Sequence, residues 1–192
     1  MPKRTLEKGC YYHIFNRGHN KQQLFFDQKD YERFYHNIPR YKRKYPNIQL
    51  RSWCVLPNHF HFLLFEQSSN PGSTRDFSGQ NPGLVSEPGL ESIPEEANIS
   101  NFMNQIQQSY AAFFNAKYRE TVKKGLKSPV FEGRFKAKIV EDDKYFYQLQ
   151  QYIEWNAVKH EIVEKPEEWA YSSYSEMSSS GNQEDEFDPY FE

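Results

Sequence analysis

The apolar positions of this chain fall into short runs whose spacing changes from run to run, and each spacing predicts an element. Tyr11 to Asn16 (YYHIFN) reads as a strand. Asp27 then opens an amphipathic helix, DQKDYERFYHNIPRYKRKY, with Tyr31, Phe34, Ile38 and Tyr41 at helical spacing and Pro39 placed to kink it. Residues 48–56 (IQLRSWCVL) and 59–65 (HFHFLLF) read as two strands, and the Pro57-Asn58 pair between them predicts an antiparallel hairpin. A second helix is expected from Ile99 to Tyr118, with Phe102, Ile106, Tyr110 and Phe113 on one stripe; Tyr110 and Phe113 are assigned to packing. Residues 130–140 (VFEGRFKAKIV) alternate as a strand does, and Asp142-Asp143 cap a third helix to about His160.

The order is β-α-β-β-α-β-α, which predicts an α+β fold with a ferredoxin-like antiparallel sheet. Two helices then cover one face and the last helix is free to lie against the other. Between the hairpin and the second helix, residues 67–98 carry repeated Pro-Gly and Ser-Gly pairs with neither period, the pattern of a flexible insertion. The expected organisation is one domain over 1–176, interrupted at 67–98, followed by an acidic, disordered tail at 177–192.

Composition sharpens this picture. Hydrophobic residues are 37% of the chain, but 16 Phe, 14 Tyr and 3 Trp are among them, so the core has to be built largely from rings. No stretch approaches the roughly 18 apolar residues of a membrane span, and MPKRTLEKG lacks the apolar core of a secretion signal. The expectation is a soluble, cytoplasmic protein with no membrane partner. Cys10 and Cys54 lack metal-site spacing and are too few for a disulfide framework, so they read as reduced packing residues.

Net charge is -2, yet the acids are unevenly placed. Segment 66–100 holds six acids against Arg75 alone, and 181–192 holds five with no base. The remainder carries 23 Lys and Arg against 15 Asp and Glu, about +8. A cationic body rich in aromatics suits a nucleic-acid surface, where cations follow phosphates and rings stack on unpaired bases; an ordinary solvated surface has the same charge.

Two groups of residues carry candidate chemistry. His59 and His61 in PNHFHFLLF are i and i+2 on a strand, so both imidazoles face one side, where they can share a divalent metal or simply pack. On the third helix Gln148, Tyr152 and Asn156 are four residues apart on one stripe, beside Leu149, Ile153 and Tyr145. An amide oxygen suits Mg or Mn, and a phenol is a competent nucleophile once phosphate charge is neutralised. Core packing of Tyr152 and a helix end at Asn156 are the plainer reading.

Together these segments resemble the single-tyrosine HUH transposases: insertion-sequence transposases that act on single-stranded DNA, and REP-associated tyrosine transposases. The resemblance covers most of residues 9–175 outside the insertion. It rests on FNRGHNKQQLFFDQKDYERF, VLPNHFHFLL, PVFEGRFKAKIVEDD, and YIEWNAVKH followed by WAYSSY. Ala157 departs from the pattern, since relatives usually have Pro after the Asn.

The resemblance implies that His59, His61 and Asn156 hold Mg or Mn, that Tyr152 attacks a DNA phosphate to form a 5′-phosphotyrosine, and that Gln148 supports the site. Arg17, Lys21, Arg134, Lys136 and Lys138 lie beside the resembling segments and are the candidate phosphate contacts, with Lys136 and Lys138 expected to share a strand face with Arg134. Arg40, Lys42, Arg43 and Lys44 read as the polar end of their helix. The implied function is metal-dependent cleavage and rejoining of single-stranded or hairpin DNA. A domesticated repeat-processing relative, a metal hydrolase using bound water and a non-catalytic nucleic-acid-binding protein remain alternatives. Monomer and homodimer, the latter exchanging its tyrosine helix, both occur among relatives.

Overall fold

Strands form here because β-branched and aromatic residues alternate between two packed faces, and four of them pair into one antiparallel sheet in the computed structural model, which describes residues 6–67, 98–118 and 129–178. The elements are β1 (Tyr11–Arg17), α1 (Gln28–Lys42), β2 (Ile48–Leu56), β3 (His59–Glu66), α2 (Ile99–Lys117), β4 (Lys136–Ile139), α3 (Asp143–Glu154), α4 (Asn156–Lys159) and α5 (Ser173–Ser178). Strand order is β2-β3-β1-β4, the expected ferredoxin-like arrangement. Apart from its end residues, the predicted insertion lies outside the described residues, as does the predicted tail beyond Ser178; α5 reaches two residues into that tail.

One sheet face carries Tyr12, Ile14, Trp53, Val55, Phe60, Phe62 and Leu64 and packs on Phe34, Ile38, Phe102, Ile106 and Tyr110 from α1 and α2. Rings dominate this core, as the composition requires; truncating wholly buried Phe34 to Ala would cost about 3–5 kcal/mol. The other face carries Tyr11, Cys54, Leu56, Leu63 and Phe65 under Phe146, Leu149 and Ile153 of α3. The tyrosine-bearing helix therefore covers the second face, but only part of it.

Local signals explain the element ends. Asp27 caps α1 through a reciprocal box with Asp30, whose buried carboxylate also accepts from Lys117 Nζ (2.7 Å) and Tyr118 Oη (2.5 Å). That carboxylate ties the start of α1 to the end of α2. The helix runs unbroken through Pro39. On α2 Phe114, the i+4 step from Tyr110, is the more deeply buried ring, while Phe113 packs half-buried against the same core with the Arg33 guanidinium over it.

Two further expectations are corrected. Residues 130–140 are not one strand: Gly133 turns the chain at φ +69, Phe131 makes an isolated bridge to Gly18, and β4 starts only at Lys136. Arg134 therefore sits in the preceding bend and does not share a strand face with Lys136 and Lys138. The third helix is broken at Trp155 (φ -88, ψ 5), leaving α3 and the short α4.

At the sheet edge, residues 169–173 run beside β2. Val55 N donates to Tyr171 O (2.9 Å), Trp169 Nε1 to Val55 O (3.0 Å) and Trp53 N to Ser173 Oγ (3.0 Å), so these edge groups are paired.

Candidate functional site

Strand register places the candidate residues in rows across the partly covered face. Cys54, His61, Phe15 and Lys136 are successive partners along one row; Ser52, Leu63, His13 and Lys138 form the next; Leu56, His59 and Arg17 form a third. A bulge at Arg51, between Leu50 and Ser52, brings Ser52, Cys54 and Leu56 onto this face. The hairpin turn is braced from outside: Pro57 O accepts from Leu24 N (2.7 Å) and Phe25 N (3.0 Å), and Asn58 O from Gly18 N (2.8 Å). Gly18 has no substitute in this conformation, since a Cβ there would lie 2.0 Å from Gln22 O.

The two predicted histidines do converge. Their ring centroids are 5.2 Å apart at 88°, and Tyr152 of α3 stands 5.6 Å from His61, also edge-on. Asn156, one turn beyond Tyr152, is wholly buried, and neither its Oδ1 nor its Nδ2 has a hydrogen-bond partner among the described residues. Its amide lies close enough to His59 to favour the charged imidazole, without completing a well-formed hydrogen bond. Gln148 is half-buried one turn before Tyr152.

Electrostatics keep these imidazoles neutral. Burial, then His160, lowers His59 to about 4, and burial together with His13, His59 and His160 holds His61 well below the ordinary range. Each ring has one nitrogen engaged: His59 Nδ1 lies 2.6 Å from Asn58 Oδ1, and His61 Nδ1 lies 2.8 Å from His13 Nε2. Nε2 of both rings is left out of these bonds. Two neutral imidazoles and a buried amide without a partner suit a hard divalent ion. Among the described residues no three His, Cys, Asp or Glu side chains form a metal-holding group, so the amide would have to be the third donor.

Four neighbours escaped the sequence reading. His13 is buried against His61, and only the β1–β3 register brings them together. Exposed His160 lies 4.9 Å from His59 between ring centroids and extends the Tyr152, Asn156 stripe by another four residues, a spacing visible in the sequence. Lys159 places Nζ 5.1 Å from the Tyr152 ring. Phe15 belongs here as well, half-buried and stacked on His61 at 5.7 Å, with Lys136 Nζ 6.0 Å from its ring.

The predicted cations separate into two kinds. Lys136 and Lys138 are exposed on one face of β4, Arg134 is exposed in the bend before it, and Lys21 is exposed in the turn that follows β1. Arg17 differs, because Glu132 binds its guanidinium through Nε and through Nη2 (2.9 Å). Cys54, opposite His61, is buried, and burial pushes its thiol up to about 12, in keeping with a packing role; Cys10 is only half-buried. No helix among the described residues is long and apolar enough to cross a membrane.

The IS200-like transposase family matches residues 90–156, a span that includes Tyr152 and Asn156 but not His59 and His61. A Haemophilus influenzae protein named as a REP-associated tyrosine transposase is 28% identical over 121 residues, 63% of this chain; the chain spans 56% of that relative's length. Among solved structures, a REP-associated tyrosine transposase bound to a REP hairpin has the same fold, with a TM-score of 0.64 and 19% identity over 94% of this chain and 86% of the other. With the order of segments and the placement of Tyr152 over the two histidines, these matches lead to one conclusion: the chain is similar in sequence to IS200-like and REP-associated tyrosine transposases and shares the fold of the latter.

Proposed function

We propose that this protein is an HUH-type single-tyrosine DNA endonuclease and strand transferase that cuts and rejoins single-stranded DNA next to a hairpin. The observation that carries this reading is the convergence of Tyr152 with His61, His59 and the buried amide of Asn156 on one partly covered sheet face. In the proposed step Tyr152 Oη bonds to phosphorus as the bond from phosphorus to the 3′ oxygen breaks. The phenol releases one proton and the departing oxygen gains one, giving a 5′-phosphotyrosine and a free 3′-OH. Reversal by another 3′-OH joins strands without a nucleotide cofactor. Mg or Mn held by His59, His61 and Asn156 would polarise the phosphate and stabilise the departing oxygen.

The protein's own groups supply the rest. Lys136 ends the row that holds His61 and Lys138 the row that holds His13, and both are placed to hold flanking phosphates, while Lys159 adds positive charge beside the Tyr152 ring. Within one chain α3 packs on the sheet and brings Tyr152 to His61 and His59. The hairpin preference draws support from the fold shared with the hairpin-bound relative and from the cationic strand.

The decisive experiment incubates the protein with labelled hairpin DNA carrying a single-stranded flank, with Mn, and resolves the products under denaturing conditions. A protein-linked label that is lost in Tyr152→Phe is expected. Binding without any linked product would favour the non-catalytic alternative. Cleavage that persists in Tyr152→Phe would favour hydrolysis by bound water.

A further inference from the structure

His13 is a buried imidazole on the candidate face to which the proposed chemistry gives no task. It is 7% exposed, and its Nε2 lies 2.8 Å from Nδ1 of His61, which is 8% exposed. Two neutral imidazoles in such a contact share one bridging proton, and two arrangements are available. If His13 Nε2–H donates, His61 Nδ1 is the acceptor and the ring's own proton must sit on Nε2. No lone pair of His61 then remains for a metal. If His61 Nδ1–H donates, its Nε2 lone pair is free. Only the second arrangement allows His61 to act as a ligand.

We propose that His13 is a positioning residue whose Nε2 accepts the Nδ1 proton of His61, fixing the tautomer in which His61 Nε2 can hold a divalent ion. The inference rests on the reading of His59, His61 and Asn156 as the metal site. His59 meets the same requirement with a different acceptor, since its Nδ1 contacts Asn58 Oδ1 at 2.6 Å. Both candidate ligands thus have Nδ1 engaged by a neighbouring side chain. His13 is buried, and its partner on the adjacent strand is Lys138, which has no acceptor to compete for the bridging proton. The Phe15 ring, 4.7 Å from that of His13, packs beside it and restrains its plane.

The test uses Mn titration of the DNA-free protein, followed by calorimetry, with His13→Phe and His13→Gln. Phe fills the space without an acceptor, and Gln offers Oε1 in its place. Mn affinity should fall about 10- to 100-fold in His13→Phe and stay within about threefold in His13→Gln, the usual scale for a group supporting a metal ligand. Circular dichroism and urea unfolding establish that the variants are folded. Independently of any variant, nitrogen-15 spectra of the metal-free wild-type imidazoles should show the His61 proton on Nδ1.

A proton on His61 Nε2, or wild-type Mn affinity in folded His13→Phe, overturns the proposal. Mn binding that is the same in wild type, His59→Ala and His61→Ala overturns the metal site itself, and this inference with it. The phosphotyrosine reading stands or falls separately, on the Tyr152→Phe adduct.

Discussion

Tyr152 stands edge-on to His61, with ring planes 88° apart and centroids 5.6 Å apart. Its neighbours on α3, Leu149 and Ile153, are buried against the sheet, so the backbone beneath the phenol is anchored by packing that does not involve its hydroxyl. Tyr152→Phe should therefore keep the fold and the affinity for hairpin DNA while the covalent adduct falls by about a thousandfold or more, at least about 4 kcal/mol of barrier. Adduct yield and binding, measured on the same preparation, check this.

Acid dependence follows from the neutral imidazoles. His59 is lowered to about 4 and His61 lies well below the ordinary histidine value, so their lone pairs stay free of protons at pH values where an exposed histidine is charged. Mn affinity should thus be nearly flat from about pH 8 to 5.5 and fall as pH approaches about 4. Stability has the matching sign. Unfolded histidines take up protons first, so stability present above about pH 6.5 is lost as pH falls toward 4. Calorimetry and urea midpoints across this range measure the two effects, and a tenfold loss of Mn affinity by about pH 6.5 would contradict the first.

What was legible in the sequence was local. The hairpin follows from two apolar runs and a two-residue turn, and the shared face of His59 and His61 follows from the strand period alone. Tyr152 and Asn156 follow from helical spacing. The residues missed depend on pairing across long sequence separations. His13 meets His61 through strand register 48 residues away, and Arg17 meets Glu132 across 115. No periodicity carries either contact. Gly133 was readable as a turn former, but only its positive φ separates Arg134 from β4.

The ends of the predicted insertion are already joined. Ile99 N donates to Glu66 Oε2 at 3.0 Å, and Gln67 N donates to Asn47 O at 2.8 Å. We therefore expect that replacing 68–97 with a short Gly-Ser loop leaves a cooperatively folding core that still binds Mn. Each halving of loop length lowers the closure cost by only about 0.6 kcal/mol, so the urea midpoint should shift modestly and toward stability. Loss of a cooperative transition would show that the removed segment holds the core together.

Salt dependence separates the two kinds of cation at the site. Lys136 and Lys138 are exposed on one face of β4, whereas Arg17 is already neutralised by Glu132. A cation that neutralises a phosphate on a single strand contributes about 0.7 to the log-log salt slope. Lys136→Ala should therefore flatten the slope by about that amount, and Lys138→Ala likewise. Arg17→Ala should weaken binding through the exposed Glu132 carboxylate while changing the slope much less, and Glu132→Gln added to it should restore much of the affinity. Titrations of hairpin DNA with a single-stranded flank against a plain duplex, from about 50 to 200 mM salt, resolve this, and the flanked hairpin should bind more tightly. An Arg17→Ala slope change as large as that of Lys136→Ala would mean that Arg17 leaves Glu132 to hold a phosphate, and tighter binding to the duplex would defeat the single-strand reading.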